Sequence, residues 1–183
     1  MYANKLLIAH PGCPKDSPFY KSVIYIYQHQ PGNGTVGVII NKPSKFTVQE
    51  VCADKQIVFL NNRDLIFHGG PVNPNALILL HSEGWRSENT MTAGNGLCIT
   101  SDNKMLEKIA AGNEPEQWRL FGGMSGWADG QLAHEMSGKW PYRTENSWLI
   151  CSATLEFIFE IPIKQQWSVA CEMAGKQMFE EYF

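Results

Sequence analysis

Two glycine-containing segments have the spacing of motifs that bind phosphate or stabilise an oxyanion. Residues 32–37, Gly-Asn-Gly-Thr-Val-Gly, fit the pattern G-x-G-x-x-G, in which backbone amides and a following helix hold a phosphate group. Here the glycines precede an apolar run and then Pro43, which is a strand pattern and lacks the required helix. A kinase glycine loop does lie between strands, but no Asp-Phe-Gly occurs in this chain. We therefore predict a hairpin turn, because Asn and Gly both tolerate positive φ angles.

The second segment, residues 68–71 (His-Gly-Gly-Pro), is close to the loop with which lipases donate backbone amides to an oxyanion. Its last residue, Pro71, has no N–H to donate. The partner motif G-x-S-x-G is also missing, since the nearest match, around Ser125, has a glycine one position too early. These mismatches argue against a serine hydrolase.

The remaining reactive side chains form no recognisable catalytic or metal-binding motif. The five histidines include no H-x-H or H-x-x-x-H pair, and the five cysteines include no C-x-x-C. The sequence therefore predicts no metal site, no cofactor and no disulfide framework, and the cysteines are expected to be buried thiols. The acidic residues are dispersed, so the sequence brings no two carboxylates together for acid–base chemistry.

Composition excludes several classes of protein. The chain has 183 residues, 44% of them hydrophobic, and a formal net charge of −3 without any run of Lys or Arg. Direct nucleic-acid binding is therefore not expected. No stretch reaches the roughly 20 apolar residues of a membrane helix, and the apolar run at residues 6–9 is too short for a signal-peptide core. We predict one cytoplasmic domain over residues 1–183, without membrane contact.

Strand and helix patterns mix along the chain without strict alternation. Apolar and β-branched runs predict strands at residues 5–10, 22–29, 35–42, 76–82, 97–101 and 147–153. Two further strands run into glycine-containing turns, one within residues 63–72 and one that begins at residue 118. Helical patterns are found at residues 46–53, 101–113 and 166–183, with a shorter one near residues 129–140. Thr47 is a candidate cap of the first helix. Because an antiparallel hairpin lies near the start, we predict an α+β fold rather than a doubly wound sheet.

The order and spacing of several short motifs resemble those of the YqgE/AlgH family of bacterial proteins. Each motif is modest alone, but together they run from about residue 5 to residue 175. The matching residues are His10-Pro11, Asp16, Phe19, Ser22-Val23, His29, Gly37 to Pro43 with Asn41, Gly69 to Val72, Leu80 to Ser82, Gly126-Trp127, Gly130 to Leu132, Glu135, Ser147 to Leu149 and Trp167.

The resemblance implies a coiled, mixed β-sheet with an antiparallel hairpin and flanking helices. Members of the family carry the label of transcriptional regulator, and no enzymatic activity is firmly attached to them. Since no helix-turn-helix is predicted here, any regulation is expected to be indirect. The chain departs from the family pattern at Ala128, where glycine is usual, and at Ala133, where glutamate is usual. The second departure weakens any catalytic role for this segment.

The polar and glycine-rich ends of the predicted strands form the candidate binding site. Asn41 and Gln131 can each donate and accept a hydrogen bond, which suits a neutral polar ligand. The two glycines permit close backbone approach. An alternative is that all these residues only form turns and cap strand ends. The candidates are His10, Asp16, Asn41, His68, Gly69, Gly70 and Gln131.

Three functions are consistent with these patterns. The first is a non-enzymatic regulatory or binding protein that contacts an unidentified protein or small molecule. The second is a hydrolase or transferase at the same cleft, with His10 or His68 as the base and Ser125 or Cys13 as the nucleophile. The third, a direct transcription factor, takes the family label literally and predicts salt-sensitive binding to duplex DNA. The failed catalytic motifs and the family resemblance favour the first.

Overall fold

The computed structural model of the chain describes residues 2–59, 62–137 and 148–182. The strands are β1 (Lys5–Ala9), β2 (Val23–Gln30), β3 (Gly34–Ile39), β4 (Pro43–Thr47), β5 (Leu65–His68), β6 (Val72–Ser82), β7 (Met91–Gly94), β8 (Leu97–Thr100), β9 (Trp118–Trp127) and β10 (Trp148–Ser152). The helices are α1 (Val48–Asp54), α2 (Lys104–Ala110), α3 (Gln131–Ser137), α4 (Leu155–Phe159) and α5 (Ile163–Tyr182). No helix in the described ranges combines the length and the apolar character that a membrane crossing requires.

The strands form one curled sheet that is largely antiparallel. Eight of them lie in the order β10-β1-β2-β3-β9-β6-β8-β7, while β4 pairs with β5 and β5 joins the sheet beside β9. The β5–β9 pair is parallel, so the sheet is mixed. The predicted α+β fold, with a coiled mixed sheet and flanking helices, is confirmed.

The glycine motif at residues 32–37 contains the predicted hairpin, which joins the antiparallel strands β2 and β3. Gly32 and Gly34 have φ angles of 86° and 92°, which glycine adopts without strain. The amide of Gly32 donates to Asp129 Oδ1 at 2.9 Å, and the amide of Asn33 donates to the Gln30 carbonyl at 3.0 Å. These amides are engaged within the protein, as expected for a turn rather than a phosphate-binding loop.

Strand β9 lies at the centre of the sheet and changes partner along its length. One edge pairs with β6 over residues 118–124. The other edge pairs with β5 at residues 121–122 and then with β3 at residues 125–127. The sequence predicted a glycine-rich turn within this segment, and that prediction is wrong. The glycines leave room for neighbouring backbone, so the strand continues through them.

The end of β5 is wedged between β3 and β9 at Gly69. Its amide donates to the Gly122 carbonyl at 2.9 Å, and its carbonyl accepts from the Ile39 amide at 2.9 Å and from Ser125 Oγ at 3.1 Å. A Cβ atom on Gly69 would lie 2.1 Å from the Gly123 carbonyl oxygen. Glycine is therefore required here because two backbones are in direct contact.

The helices cover the sheet at three hydrophobic clusters. Helices α4 and α5 pack in the first cluster, through residues such as Phe157 and Ala170. Helices α1 and α2 pack on β6 and β9 in the second. Helix α3 contributes Leu132 to the third, which also contains Trp127 and Trp148. The third cluster lies directly beneath the candidate site.

Local signals located most elements, and the differences lie where tertiary pairing decides. Thr47 caps α1 as predicted: its Oγ1 accepts from the Glu50 amide at 3.2 Å, while Glu50 Oε2 accepts from the Thr47 amide at 2.7 Å. The structure adds β4 and β7 and ends β3 at Ile39, before the predicted end. Residues 138–147, which include Ser147 and the end of the helix predicted near residues 129–140, lie outside the described residues.

Replacing Gly69 with Ala is expected to lower the free energy of unfolding by at least about 2 kcal/mol, because the new Cβ forces the strands apart. Gly175→Ala is the matched control, since no atom lies within 4 Å of the position its Cβ would take. Alanine in helix α5 should leave stability unchanged or raise it by roughly 0.5–1 kcal/mol. Urea unfolding followed by circular dichroism measures both. A Gly69→Ala protein as stable as the wild type would contradict the wedge.

Candidate functional site

A cavity of about 310 Å³ lies where the end of β1 and its following loop meet β9, α3 and β10. Its walls include three aromatic side chains. Phe19 and Trp127 each make an edge-to-face contact with Trp148, with ring centroids 5.4 and 6.0 Å apart. The volume falls in the range of small-molecule pockets, which are commonly lined by aromatic groups with a few polar ones.

Glu135 of α3 places a carboxylate at this cavity. Its Oε2 accepts two indole N–H groups, from Trp127 of β9 and Trp148 of β10, each at 2.9 Å. Hydrogen bonds to a charged acceptor are stronger than neutral ones, so a single oxygen ties α3 to both strands. We call Trp127, Trp148 and Glu135 the indole–carboxylate clamp.

Gln131, a predicted site residue, lines the same cavity and supports the clamp. Its Nε2 donates to Glu135 Oε1 at 2.8 Å, and its Oε1 accepts from the Ala128 amide at 2.9 Å. Both ends of the side-chain amide are therefore engaged within the protein. Ala128 takes part here through its backbone amide.

His10 also lines the cavity. Its Nδ1 accepts from the Gly12 amide at 3.0 Å. A nitrogen that accepts carries no proton, so in this geometry the ring is the neutral tautomer with its proton on Nε2. In this arrangement Nε2 is a hydrogen-bond donor and offers no lone pair to a substrate proton. His10 is arranged to donate to a ligand rather than to act as a general base.

The loop after β1 supplies the other polar groups of the cavity, Ser17 and Cys13. Ser17 Oγ accepts from the Phe19 amide at 3.2 Å, which leaves its hydroxyl hydrogen to donate. The Cys13 residue is only 7% exposed, as expected for a buried thiol. The Lys42 ammonium donates to the Pro18 carbonyl and holds this loop in place, while burial lowers the pKa of Lys42.

Asn41, Gly69 and Gly70 belong to the framework instead of the cavity. Asn41 Oδ1 accepts from the Val23 amide, and its Nδ2 donates to the Lys21 carbonyl, both at 2.8 Å. Its amide therefore holds the start of β2. Gly70 has a φ angle of 147°, and a Cβ there would lie within 2.4 Å of the β9 backbone. The two glycines were expected to let a ligand approach the backbone, but in the structure the backbone of β9 occupies that space.

Two further predicted residues, Asp16 and His68, are exposed and lie outside the residues that line this cavity. Ser125, the nucleophile of the hydrolase alternative, is fully buried and donates to the Gly69 carbonyl at 3.1 Å. Of the residues predicted from the sequence, the structure brings His10 and Gln131 together at the cavity.

His81 illustrates how a buried histidine is satisfied in this fold. Its Nδ1 donates to the Ser82 carbonyl at 2.8 Å, and its Nε2 accepts from the Thr100 hydroxyl at 2.9 Å. Burial lowers the pKa of His81, although the hydrogen bond to Ser82 acts in the opposite direction. Within residues 2–59, 62–137 and 148–182, no group of three His, Cys, Asp or Glu side chains is placed to hold a metal ion.

Sequence reasoning missed the three residues of the clamp. All three stand in motifs that carry the family resemblance, but their spacing gave no reason to bring them together. The available signal was chemical, because a buried indole N–H needs a hydrogen-bond acceptor. The two acidic residues that follow Trp127 most closely in the sequence are Asp129 and Glu135.

Comparison with known proteins identifies relatives over nearly the whole chain. A family model described as AlgH-like matches residues 6–179. A UPF0301 protein of Stenotrophomonas maltophilia (strain K279a) is 35% identical over 181 residues, which are 97% of this chain and 91% of that protein. A UPF0301 protein of Xanthomonas oryzae pv. oryzae (strain PXO99A) is 32% identical over 180 residues, with the same two coverages of 97% and 91%.

Two solved structures share the fold. The solution structure of the AlgH protein from Pseudomonas aeruginosa superposes with a TM-score of 0.77 at 30% identity, covering 94% of this chain and 88% of that one. The crystal structure of protein DIP2367 from Corynebacterium diphtheriae has a TM-score of 0.70 at 23% identity, covering 92% and 85%. The second likeness concerns the fold alone.

Replacing Glu135 with Gln is expected to lower the free energy of unfolding by about 1–3 kcal/mol. A glutamine that keeps its oxygen on the two indoles turns its NH₂ toward the NH₂ of Gln131, and the reverse orientation leaves both indoles unpaired. Glu88→Gln is the control, because Glu88 pairs with Lys104 at the surface, with 56% and 60% of the side chains exposed. Urea unfolding should show little change for the control. An unchanged midpoint for Glu135→Gln would count against the clamp.

Stability is expected to fall as the pH is lowered below about 6.5, the ordinary pKa of histidine. The folded pKa of His81 lies below its unfolded value, so the unfolded chain binds more protons in the interval between them. The stabilisation that depends on a neutral His81 is fully present above the unfolded-state pKa. As the pH falls toward the folded-state pKa, the free energy of unfolding declines by up to about 1.4 kcal/mol per pH unit. The free energy of unfolding should be measured across this pH range. Its dependence on pH should disappear in His81→Gln and remain in His68→Gln. Equal slopes in His81→Gln and wild type would refute the assignment.

Proposed function

This chain belongs to the AlgH-like family, and we propose that it is a non-enzymatic binding protein whose ligand occupies the cavity at the indole–carboxylate clamp. The proposed ligand is a small organic cation or amide with a flat apolar body. The observation that supports this most directly is the Glu135 carboxylate, held at an aromatic-walled cavity by two indole N–H groups.

The carboxylate retains capacity to bind a ligand. Each carboxylate oxygen can accept about two hydrogen bonds. Trp127 and Trp148 occupy both positions on Oε2, whereas Oε1 accepts from one described donor, Gln131. A ligand N–H would take the second position on Oε1.

The aromatic walls favour a cation with a flat body. Aromatic faces attract ammonium groups and stack on planar groups. A ligand carboxylate would be repelled by Glu135, while an ammonium would be attracted by both the carboxylate and the rings. The donors His10 Nε2–H and Ser17 O–H suit a carbonyl or hydroxyl elsewhere on the ligand.

The same geometry supports binding over the hydrolase or transferase alternative. His10 keeps its Nδ1 on the Gly12 amide, so it lacks the free base that would activate a nucleophile. Ser125 is buried and donates to Gly69. Cys13 lies at the cavity but is largely covered.

If the protein regulates transcription, as the label of its family says, the proposal is that it does so without binding DNA itself. In this view the protein acts in the cytoplasm, and ligand occupancy alters its contact with a protein partner. The net charge of −3 and the lack of any Lys or Arg run in the sequence support indirect action.

Benzylamine, an ammonium at neutral pH with a flat ring, is the probe that tests the ligand class. NMR titration of the ¹⁵N-labelled protein should shift the indole N–H signals of Trp127 and Trp148. Glu135→Gln should weaken binding at least about tenfold, since a charge-assisted hydrogen bond is lost. Glu88→Gln, which removes one negative charge at the surface, should bind like the wild type.

Benzyl alcohol, with the same ring and no charge, serves as the ligand control and should bind more weakly than benzylamine. Indole signals that do not move at saturating benzylamine would overturn the proposed ligand class. Equal affinity for benzylamine in wild type and Glu135→Gln would overturn the role of the carboxylate.

A further inference from the structure

A second cavity, of about 470 Å³, lies between β4–β5, β9 and the start of α5. We call it the Arg119 cavity. Its apolar lining includes Phe67, Leu120 and Ile163. Its charged lining consists of Arg119, Lys164 and Asp64. None of these residues lines the cavity at the clamp, so the two sites can be tested separately.

Arg119 is held in a defined position at this cavity. Its Nη1 donates to the Ile40 carbonyl at 2.9 Å. The guanidinium carbon lies 4.5 Å from the centre of the Phe67 ring and 5.8 Å from that of Phe159. Two cation–π contacts and one hydrogen bond therefore hold the guanidinium in place before any ligand binds.

The guanidinium has no carboxylate partner among the described residues. Their one salt bridge joins Lys104 to Glu88, so Asp64 shares the cavity with Arg119 without forming an ion pair. Among the described residues, Gln166 Oε1 is the one fully buried side-chain nitrogen or oxygen that has no hydrogen-bond partner. The Nε and Nη2 groups of Arg119, which donate to no described residue, are therefore not fully buried.

The electrostatics of this site favour an added anion. Burial lowers the pKa of Arg119 to about 10, which leaves the group protonated at neutral pH. A partly desolvated cation without a counter-ion is costly. Lys164 adds a second positive charge at the cavity, and the one acidic side chain that lines it, Asp64, leaves an excess of positive charge.

We propose that the Arg119 cavity binds a small organic carboxylate. The planar fork of Arg119 matches the two oxygens of a carboxylate, and Lys164 contributes charge. The apolar lining around Phe67, Leu120 and Ile163 takes the body of the ligand. An inorganic oxyanion would satisfy the guanidinium but would leave these walls unused.

Benzoate tests this assignment, with inorganic phosphate as the comparison. NMR titration of the ¹⁵N-labelled wild-type protein should show saturable benzoate shifts at the amides of Phe67, Leu120 and Ile163. Calorimetry should give an affinity for benzoate at least about tenfold higher than for phosphate, because burying the ring adds hydrophobic free energy.

Arg119→Gln should weaken benzoate binding at least about tenfold, and Arg119→Lys, which keeps the charge but not the fork, should also weaken it. The matched control Arg86→Gln removes an exposed arginine and should bind like the wild type. Because Arg119→Gln also removes the bond to Ile40, circular dichroism checks its fold, and the wild-type shift map stands independently of that variant.

Three results would overturn the proposal. They are benzoate shifts that do not saturate or that map elsewhere, benzoate affinity that is equal in a folded Arg119→Gln protein, and phosphate affinity equal to that of benzoate. The benzylamine experiment reports on different residues, so either site can fail without the other.

Discussion

The interaction on which the functional region depends is the pair of indole N–H bonds to one oxygen of Glu135. Two buried tryptophans need acceptors, and a partly buried carboxylate needs donors. The indoles donate to the carboxylate, so both needs are satisfied, and the two hydrogen bonds join helix α3 to strands β9 and β10. The aromatic cavity exists because these three elements are held at a fixed separation. The same carboxylate makes the cavity acidic, so Glu135 both holds the walls of the cavity together and provides its charge.

Strand β9 connects this region with the rest of the molecule. It carries Trp127 at one end and Arg119 near the other, and Gly69 is wedged against its middle. The strand therefore supports an acidic aromatic cavity and a basic apolar one. Strand β9 pairs with β6, β5 and β3 along successive stretches of its length, so the end at Arg119 is held by β6 and the end at Trp127 by β3. This rigidity is what a pre-organised binding site requires.

Much of the fold could be predicted from local patterns. The Gly-Asn-Gly hairpin, the Thr47 cap and the apolar strand at β6 each depend on residues close in sequence. The extension of β9 through its glycines could not be predicted, because those glycines are required by backbones distant in sequence. For the site, polar residues at strand ends were the available signal, and they included His10 and Gln131. Asn41 and the glycine pair have the same composition signal but serve the framework. The clamp was missed because its members come from three separate elements.

Hydrogen exchange of the tryptophan indoles in the wild-type protein, followed by NMR, reports whether Glu135 holds both indole N–H groups. Trp118 is an internal reference, since its indole donates to Glu114 at an exposed site, at 3.1 Å. We expect the indole N–H groups of Trp127 and Trp148 to exchange much more slowly than that of Trp118. Exchange of both at the rate of Trp118 would show that neither is held by Glu135, and the cavity would lose the carboxylate geometry proposed for it.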